Sequence, residues 1–357
     1  MATLAPPAPA LPQAAAGVQR VPLAWAILSA LLCLSILLNL MLGAVPVPLG
    51  EVFRSLVPGA GADPAAALVI REIRLPRLLA ALGIGAALAV SGAALQALFR
   101  NPLADPGLLG VSTGAALGAA LWFVAGAGIA AAAAPALTPF LLPSASFLGA
   151  LAAIFMVLAL GSRAGPNATI LMLLLGIGVN ALGGALIGVA TYLSTDSQLR
   201  ALSVWLLGTL AQVEWPVLGV ALGVISLTLA ALLATARRLD LLALGEDSAR
   251  HLGVDVPRLR ILLAVLTALA VGAAVSLSGI IGFLGLVVPH MLRITLGPAH
   301  VSLLPLAALA GAVFLSMADL VARLIALPAE VPVGIVMAFI GAPLFIWVLL
   351  SAWRRMG

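Results

Sequence analysis

The sequence contains no lysine. All 17 of its basic residues are arginine, so the chain lacks the amine that a phosphate-cradling P-loop directs at the terminal phosphates, and nucleotide hydrolysis by that route is excluded. Charge of either sign is scarce, at 8% of 357 residues, against roughly a quarter in an ordinary soluble domain. One cysteine, Cys33, lies in an apolar run, which excludes an intrachain disulfide. Aromatic residues reach only 5% and nowhere interleave with basic ones, as nucleic-acid binding would require. What is present is apolar: 64% of residues are hydrophobic, with a mean hydropathy of +1.26. This is the composition of an all-α integral membrane protein of many spans. An outer-membrane barrel is excluded, because its strands would alternate in polarity.

Residues 1–20, rich in Ala and Pro with one charge at Arg20, hold too little apolar surface for a core and read as a disordered tail. Residues 21–357 read as a single membrane domain. Hydropathy predicts about ten transmembrane helices over 23–43, 76–98, 107–128, 142–162, 168–191, 216–236, 261–279, 281–292, 302–326 and 332–352. The first run is long enough to cross and is followed by others, so it reads as a span and not as a cleaved signal. With the N-terminus inside, Arg20, Arg100, Arg163, Arg237, Arg238, Arg250, Arg258, Arg260, Arg293, Arg354 and Arg355 face the cytoplasm. Arg54, Arg71, Arg74, Arg77, Arg200 and Arg323 then face outward, which is the expected arginine bias toward inner loops. An even number of spans returns the C-terminus to the inside. Gly110, Gly114 and Gly118, like Gly83, Ala87 and Ser91, recur every four residues and predict smooth faces for close helix contact.

Arg237 to Arg260, RRLDLLALGEDSARHLGVDVPRLR, is a polar island between uncharged segments. After Gly245 come Glu246, Asp247 and Ser248, then Arg250 and His251, then Gly253: acid early, base late and glycine beyond suit a short helix. Leu241, Leu244, Leu252 and Val254 set apolar knobs among the charges. Two readings fit, a surface that docks a soluble protein and a solvated basic loop that only sets topology.

The spans themselves are nearly bare of ionisable groups, which an ion-coupled carrier keeps at mid-membrane. Asp319 and Arg323 stand one helical turn apart near the outer end of the ninth span, where mutual pairing explains them. Asn39, Gln96 and Asn180 cannot carry protons. His251, His290 and His300 fall near the cytoplasmic side, where helix-end hydrogen bonding competes with metal or heme ligation. Arg71, Arg74 and Arg77, in REIRLPR, gather at the outer mouth of the second span, facing an acidic soluble protein or an anionic substrate outside, or only snorkelling to the interface. In FRNPLADPG, two prolines fix a tight inner turn that either narrows a pore or merely turns.

The stretches RLPRLLAALGIGAALAVSGAALQALFRNPLADPGLLGVSTGAALGAAL (74–121), LALGEDSARHLGV (242–254), SGIIGFLGLVVPHMLRITLGPAH, ADLVARL and AEVPVGIVMAFIGAPLFIWVLL (within 278–350) resemble the FecCD-type permeases. These are the membrane subunits of type II ATP-binding-cassette importers for heme, iron-siderophores and cobalamin. The resemblance covers nearly everything after residue 70. It implies a homodimer in the bacterial inner membrane, both termini cytoplasmic, with two separate ATPase subunits inside and a periplasmic binding protein outside. ATP and Mg would belong to the ATPase, so the chain would be no enzyme. It implies that Leu244, Gly245, Glu246, Ala249, Arg250, Leu252 and Gly253 lie in coupling helices seated on the ATPase, within about 240–254. Arg74, Arg77 and Arg323 match arginines that pair with glutamates of the binding protein. Asn101 and Leu103 match a cytoplasmic gate, with a second narrowing around Thr169. The segment TYLSTDSQLRALSVWLLGTL (191–210) looks most like the heme-importing branch, where Arg200 is a candidate partner for a heme propionate. Heme is the expected cargo, with ferric siderophore or cobalamin as the alternatives. An ion-coupled secondary transporter and a passive channel are the readings of a different class.

Overall fold

The computed structural model describes residues 12–57, 59–132, 135–161 and 168–356, and the described residues are helical with no strand. The helices are α1 (Pro12–Met41), α2 (Leu49–Leu56), α3 (Pro64–Leu68), α4 (Leu75–Leu98), α5 (Val111–Ala132), α6 (Thr138–Gly161), α7 (Ala168–Leu193), α8 (Asp196–Leu206), α9 (Trp215–Ala234), α10 (Ala236–Ala243), α11 (Glu246–His251), α12 (Val256–Ser278), α13 (Leu284–Leu296), α14 (His300–Leu324) and α15 (Val333–Met356). Seven of these regions are long and apolar enough to cross a membrane, and three shorter apolar helices, in α5, α13 and α15, bring the bundle to the ten spans read from hydropathy. The chain is a multi-pass membrane protein. Arg163 and residues 1–11 lie outside the described residues. α1 begins at Pro12, so helix reaches back into the stretch read as a tail. No proline follows there until Pro22, and the Ala-rich stretch between propagates the helix.

Burial explains the arrangement. α4 is apolar on every side and almost wholly enclosed, as a helix surrounded by others must be. α14, α12, α13 and α9 pack around it, and α5 pairs with α6 beside them. The contacts are made by backbone. A Cβ placed on Gly85 would stand 2.2 Å from the Gly311 carbonyl oxygen, and one on Gly92 only 1.9 Å from that of Gly285. Gly114 and Gly118 meet α6 in the same way at Gly149 and Ala145. Gly110 does not continue their stripe; at φ +82 it is the left-handed stop of the short turn Pro106–Leu109. Between these approaches, polar side chains bond across helices. Gln96 donates to Gly285 O at 3.2 Å, Asn39 to Ser316 O at 3.1 Å, and Asn180 to Gly107 O at 2.9 Å. Each such bond in a membrane is worth about 0.6 kcal/mol on average.

The eighth span is unusual. With 13 residues, α13 reaches only about 20 Å, short of a hydrocarbon core. The non-helical stretch 279–283 leads into it from α12. Non-helical backbone at membrane depth is tolerated where it is buried in protein or lines a cavity, and Ile280, Gly282 and Phe283 line a cleft of about 580 Å³. Here Thr209 N donates to Ser278 O at 2.7 Å, Gly208 packs on the Ile280 carbonyl, and Phe283 turns the chain at φ +66.

Gly92→Ala should therefore destabilise the purified protein by about 1–3 kcal/mol through overpacking. Gly223→Ala, which meets nothing within 4 Å, should be neutral or favourable. Equal melting temperatures for the two variants in detergent would refute backbone contact at Gly92.

Candidate functional site

The charged groups collect at opposite ends of the bundle. At one end, α4 brings Arg77 to Asp319 of α14, with Nε 2.9 Å from Oδ2 and Nη2 2.9 Å from Oδ1. Arg77 also donates to Glu330 at 2.7 Å. Asp319 meets Arg323 one turn on, at 3.3 Å, as expected from their spacing, and Arg323 donates to Asn39 of α1. Arg74 donates to the carbonyls of Leu40 and Val45. The expected outward cluster is thus closed on itself: Arg74, Arg77 and Arg323 are all buried. The cause is the supply of acceptors, because a buried guanidinium persists only where its donors are met. Glu330, half-exposed, is the outermost member. It is the only charge between Arg323 and Arg354, and that isolation was the available sequence signal for it.

At the other end lie the inner turn and the α10–α11 pair. Asn101 Oδ1 accepts from Leu103 N at 2.9 Å, so these two residues form one local turn. Asp105 Oδ1 accepts from Gly107 N at 2.8 Å and caps the next turn; burial pushes its carboxyl above the ordinary range, against the opposing pull of that bond. Asn180 of α7 ties down the Gly107 carbonyl. Thr169, eleven residues earlier on α7, is not hydrogen-bonded to the turn, and its buried Oγ1 has no hydrogen-bond partner among the described residues.

α10 and α11 are two short helices broken at Gly245, whose φ is +118, with Gly253 at φ +86 just beyond. Leu239, Leu242 and Ala249 are buried and anchor them to the bundle. Glu246 accepts from Arg260 of α12 at 3.2 Å and from Arg250 at 3.5 Å, stapling α11 to the span that follows. Leu244 and Leu252, by contrast, are 65% and 56% exposed among charged neighbours. Beside them runs a groove of about 620 Å³ lined by Arg238, Leu241, Leu252, Gly253, Val254, Asp255 and Arg258. Apolar knobs beside a mixed-charge groove are what a protein partner recognises.

Arg200 lies exposed on α8, a helix begun by a capping box of Thr195 and Gln198, and no hydrogen bond or ion pair engages it among the described residues. His251 Nδ1 bonds to Asp247 O at 2.7 Å and His300 Nδ1 to Asp240 at 2.8 Å, so these two serve helix ends. Among the described residues no cluster of three potential metal ligands forms.

The profile of the FecCD transport family matches residues 31–351. The hemin transport system permease protein HmuU of Yersinia pestis is 46% identical over 288 residues, 78% of this chain and 82% of that protein. The vitamin B12 import system permease protein BtuC of Escherichia coli O157:H7 is 43% identical over 324 residues, 91% and 95% of the two chains. A solved metal-chelate type ABC transporter in an inward-facing conformation superimposes with a TM-score of 0.79 at 33% identity, over 92% of this chain and 99% of that one.

Asp319→Asn would leave Arg77 and Arg323 buried side by side without the carboxylate between them, and stability should fall by about 3–5 kcal/mol. Thermal unfolding in detergent checks this; a wild-type melting temperature would mean that the ion cluster does not hold α4 to α14.

Proposed function

Because the chain belongs to the FecCD transport family, we propose that it is the permease subunit of an ATP-driven importer, working as a homodimer in the bacterial inner membrane. Two ATPase subunits sit on its cytoplasmic face and a periplasmic binding protein on the other. The observation that carries this reading is the α10–α11 surface: two exposed leucines beside a groove, on a chain that has no P-loop lysine of its own. Arginine counting supports placing that surface and both termini in the cytoplasm. ATP and Mg belong to the partner. Closure of the ATPase pair moves α10 and α11, and the bundle exchanges the side on which it is open. The permease supplies geometry while the partner supplies the chemical step.

The outer docking site is the arginine cluster. Arg74, Arg77 and Arg323 serve it only if incoming carboxylates replace the acceptors they already hold, backbone carbonyls for Arg74 and carboxylates for the other two, and Glu330 is the one placed to yield, being half-exposed while Asp319 is buried. The gate is the Asn101–Leu103 turn, with Thr169 as a second narrowing on α7. The cargo is hemin: the relative named for hemin transport is 46% identical, and Arg200, exposed on α8, falls on the outer side by arginine counting, where it could meet a propionate. Cobalamin is the alternative, favoured by the longer span matched to the vitamin B12 permease, and ferric siderophore is the third.

Reconstituted with its ATPase and binding protein, the complex should take up hemin on ATP addition, and excess cobalamin or ferric siderophore should not compete. The pair Leu244→Asp and Leu252→Asp should abolish that uptake and co-purification of the ATPase while leaving the melting temperature unchanged, since both side chains are exposed. Retained ATPase binding by that variant would refute the docking surface. Competition by cobalamin would reassign the cargo. For the outer site, Glu330→Gln should tighten capture of the binding protein by roughly fivefold, the gain from removing a rival carboxylate at a partly screened site. Unchanged or weaker capture would exclude the exchange.

A further inference from the structure

The N-terminus of α14 is not capped by its own sequence. Ala299 holds the N-cap position and offers no side-chain acceptor, so the first amides of the helix need one from elsewhere. Asp240, 60 residues earlier on α10, supplies it. Its Oδ1 accepts from the His300 amide at 2.6 Å and from His300 Nδ1 at 2.8 Å, and its Oδ2 from the Val301 amide at 3.4 Å. His300 is buried, with its ring Nε2 unpartnered among the described residues. A carboxylate thus faces the positive end of a 25-residue helix, where its charge and the helix dipole reinforce each other.

α10 has a second grip. Arg100, which leads from α4 into the inner turn, stands at φ +47, a left-handed conformation uncommon outside glycine. From there its Nη2 donates to the Leu242 carbonyl of α10 at 3.3 Å. Asn101 and Leu103 follow directly. One eight-residue helix therefore holds both the turn after α4 and the start of α14. The far ends of those two spans carry Arg77, Asp319 and Arg323, and the distance from His300 to Asp319 along α14 is about 28 Å.

Resting on the reading that α10 and α11 receive the partner ATPase, we infer that Asp240 and Arg100 are positioning residues that pass the movement of that surface into the bundle. Asp240 moves α14 and with it Asp319 and Arg323, and Arg100 moves the inner turn. Neither touches cargo. Movement of the ATPase and rearrangement at the arginine end are in this view one rigid linkage, jointed at the α14 cap.

A cap can be structural without transmitting anything, and one pair of variants separates the two roles. Asp240→Ala removes the cap and the link together. Adding Ala299→Asp to it restores a local cap to α14 without any tie to α10. In the reconstituted complex with ATPase and binding protein, Asp240→Ala should lower both the melting temperature and the cargo taken up per ATP hydrolysed. The ratio should drop about tenfold, within the range usual for coupling between sites. The double variant should recover the melting temperature and leave the ratio low. Recovery of the ratio in the double variant would overturn the inference, as would an unaltered ratio in Asp240→Ala. If Asp240→Ala fails to assemble, Asp240→Asn, which keeps the shape and one acceptor oxygen, is read by the same ratio; a wild-type value again overturns it. Failure of the unsubstituted complex to couple hydrolysis to uptake would instead remove the importer reading itself, so the two failures are distinct.

Discussion

Where α4 meets α14 and α13, the backbones touch with no side chain between them, at Gly85 against Gly311 and at Gly92 against Gly285. In lipid an apolar side chain gains little by turning toward another helix, so association relies on close packing and on hydrogen bonds. Drawing these helices together lets polar groups meet that no single helix could satisfy. Gln96 reaches Gly285, Leu286 and Arg293, and Asp319 reaches Arg77. A methyl group at the contact would separate those partners as well as the helices, leaving polar atoms unpaired in a low dielectric.

The two ends of the bundle solve opposite problems. Arg74, Arg77 and Arg323 turn inward and are met by Asp319, Glu330, Asn39 and backbone carbonyls, so these three side chains are held within the chain. At the other end Leu239 and Leu242 turn inward while Leu244 and Leu252 turn out among exposed charges, so that end leaves apolar groups uncovered. An asymmetry of this kind suits a body that holds one surface ready and keeps the other latched.

The spans were legible because hydrophobic length is a property of sequence alone, and the break at Gly245 because short helices carry their own signals of charge order and glycine. The pairing of Asp319 with Arg323 was legible for the same reason, being local. Arg77 with Asp319 was not, since 242 residues separate them. Three arginines in seven residues at the mouth of a span read naturally as an exposed cluster, and only the fold shows the acceptors that bury two of them. The same holds for α14, whose missing cap is visible at Ala299 but whose replacement on α10 is not. Gly110 misled by periodicity: a four-residue spacing cannot separate a helix face from a turn that happens to precede it.

Leu244 and Leu252 also bear on the life of the chain before assembly. Two large aliphatic side chains exposed beside short helices leave apolar surface uncovered until another protein packs on it. If the partner proposed for this surface is absent, both leucines stay uncovered, and the lifetime of the chain would then depend on the supply of that partner.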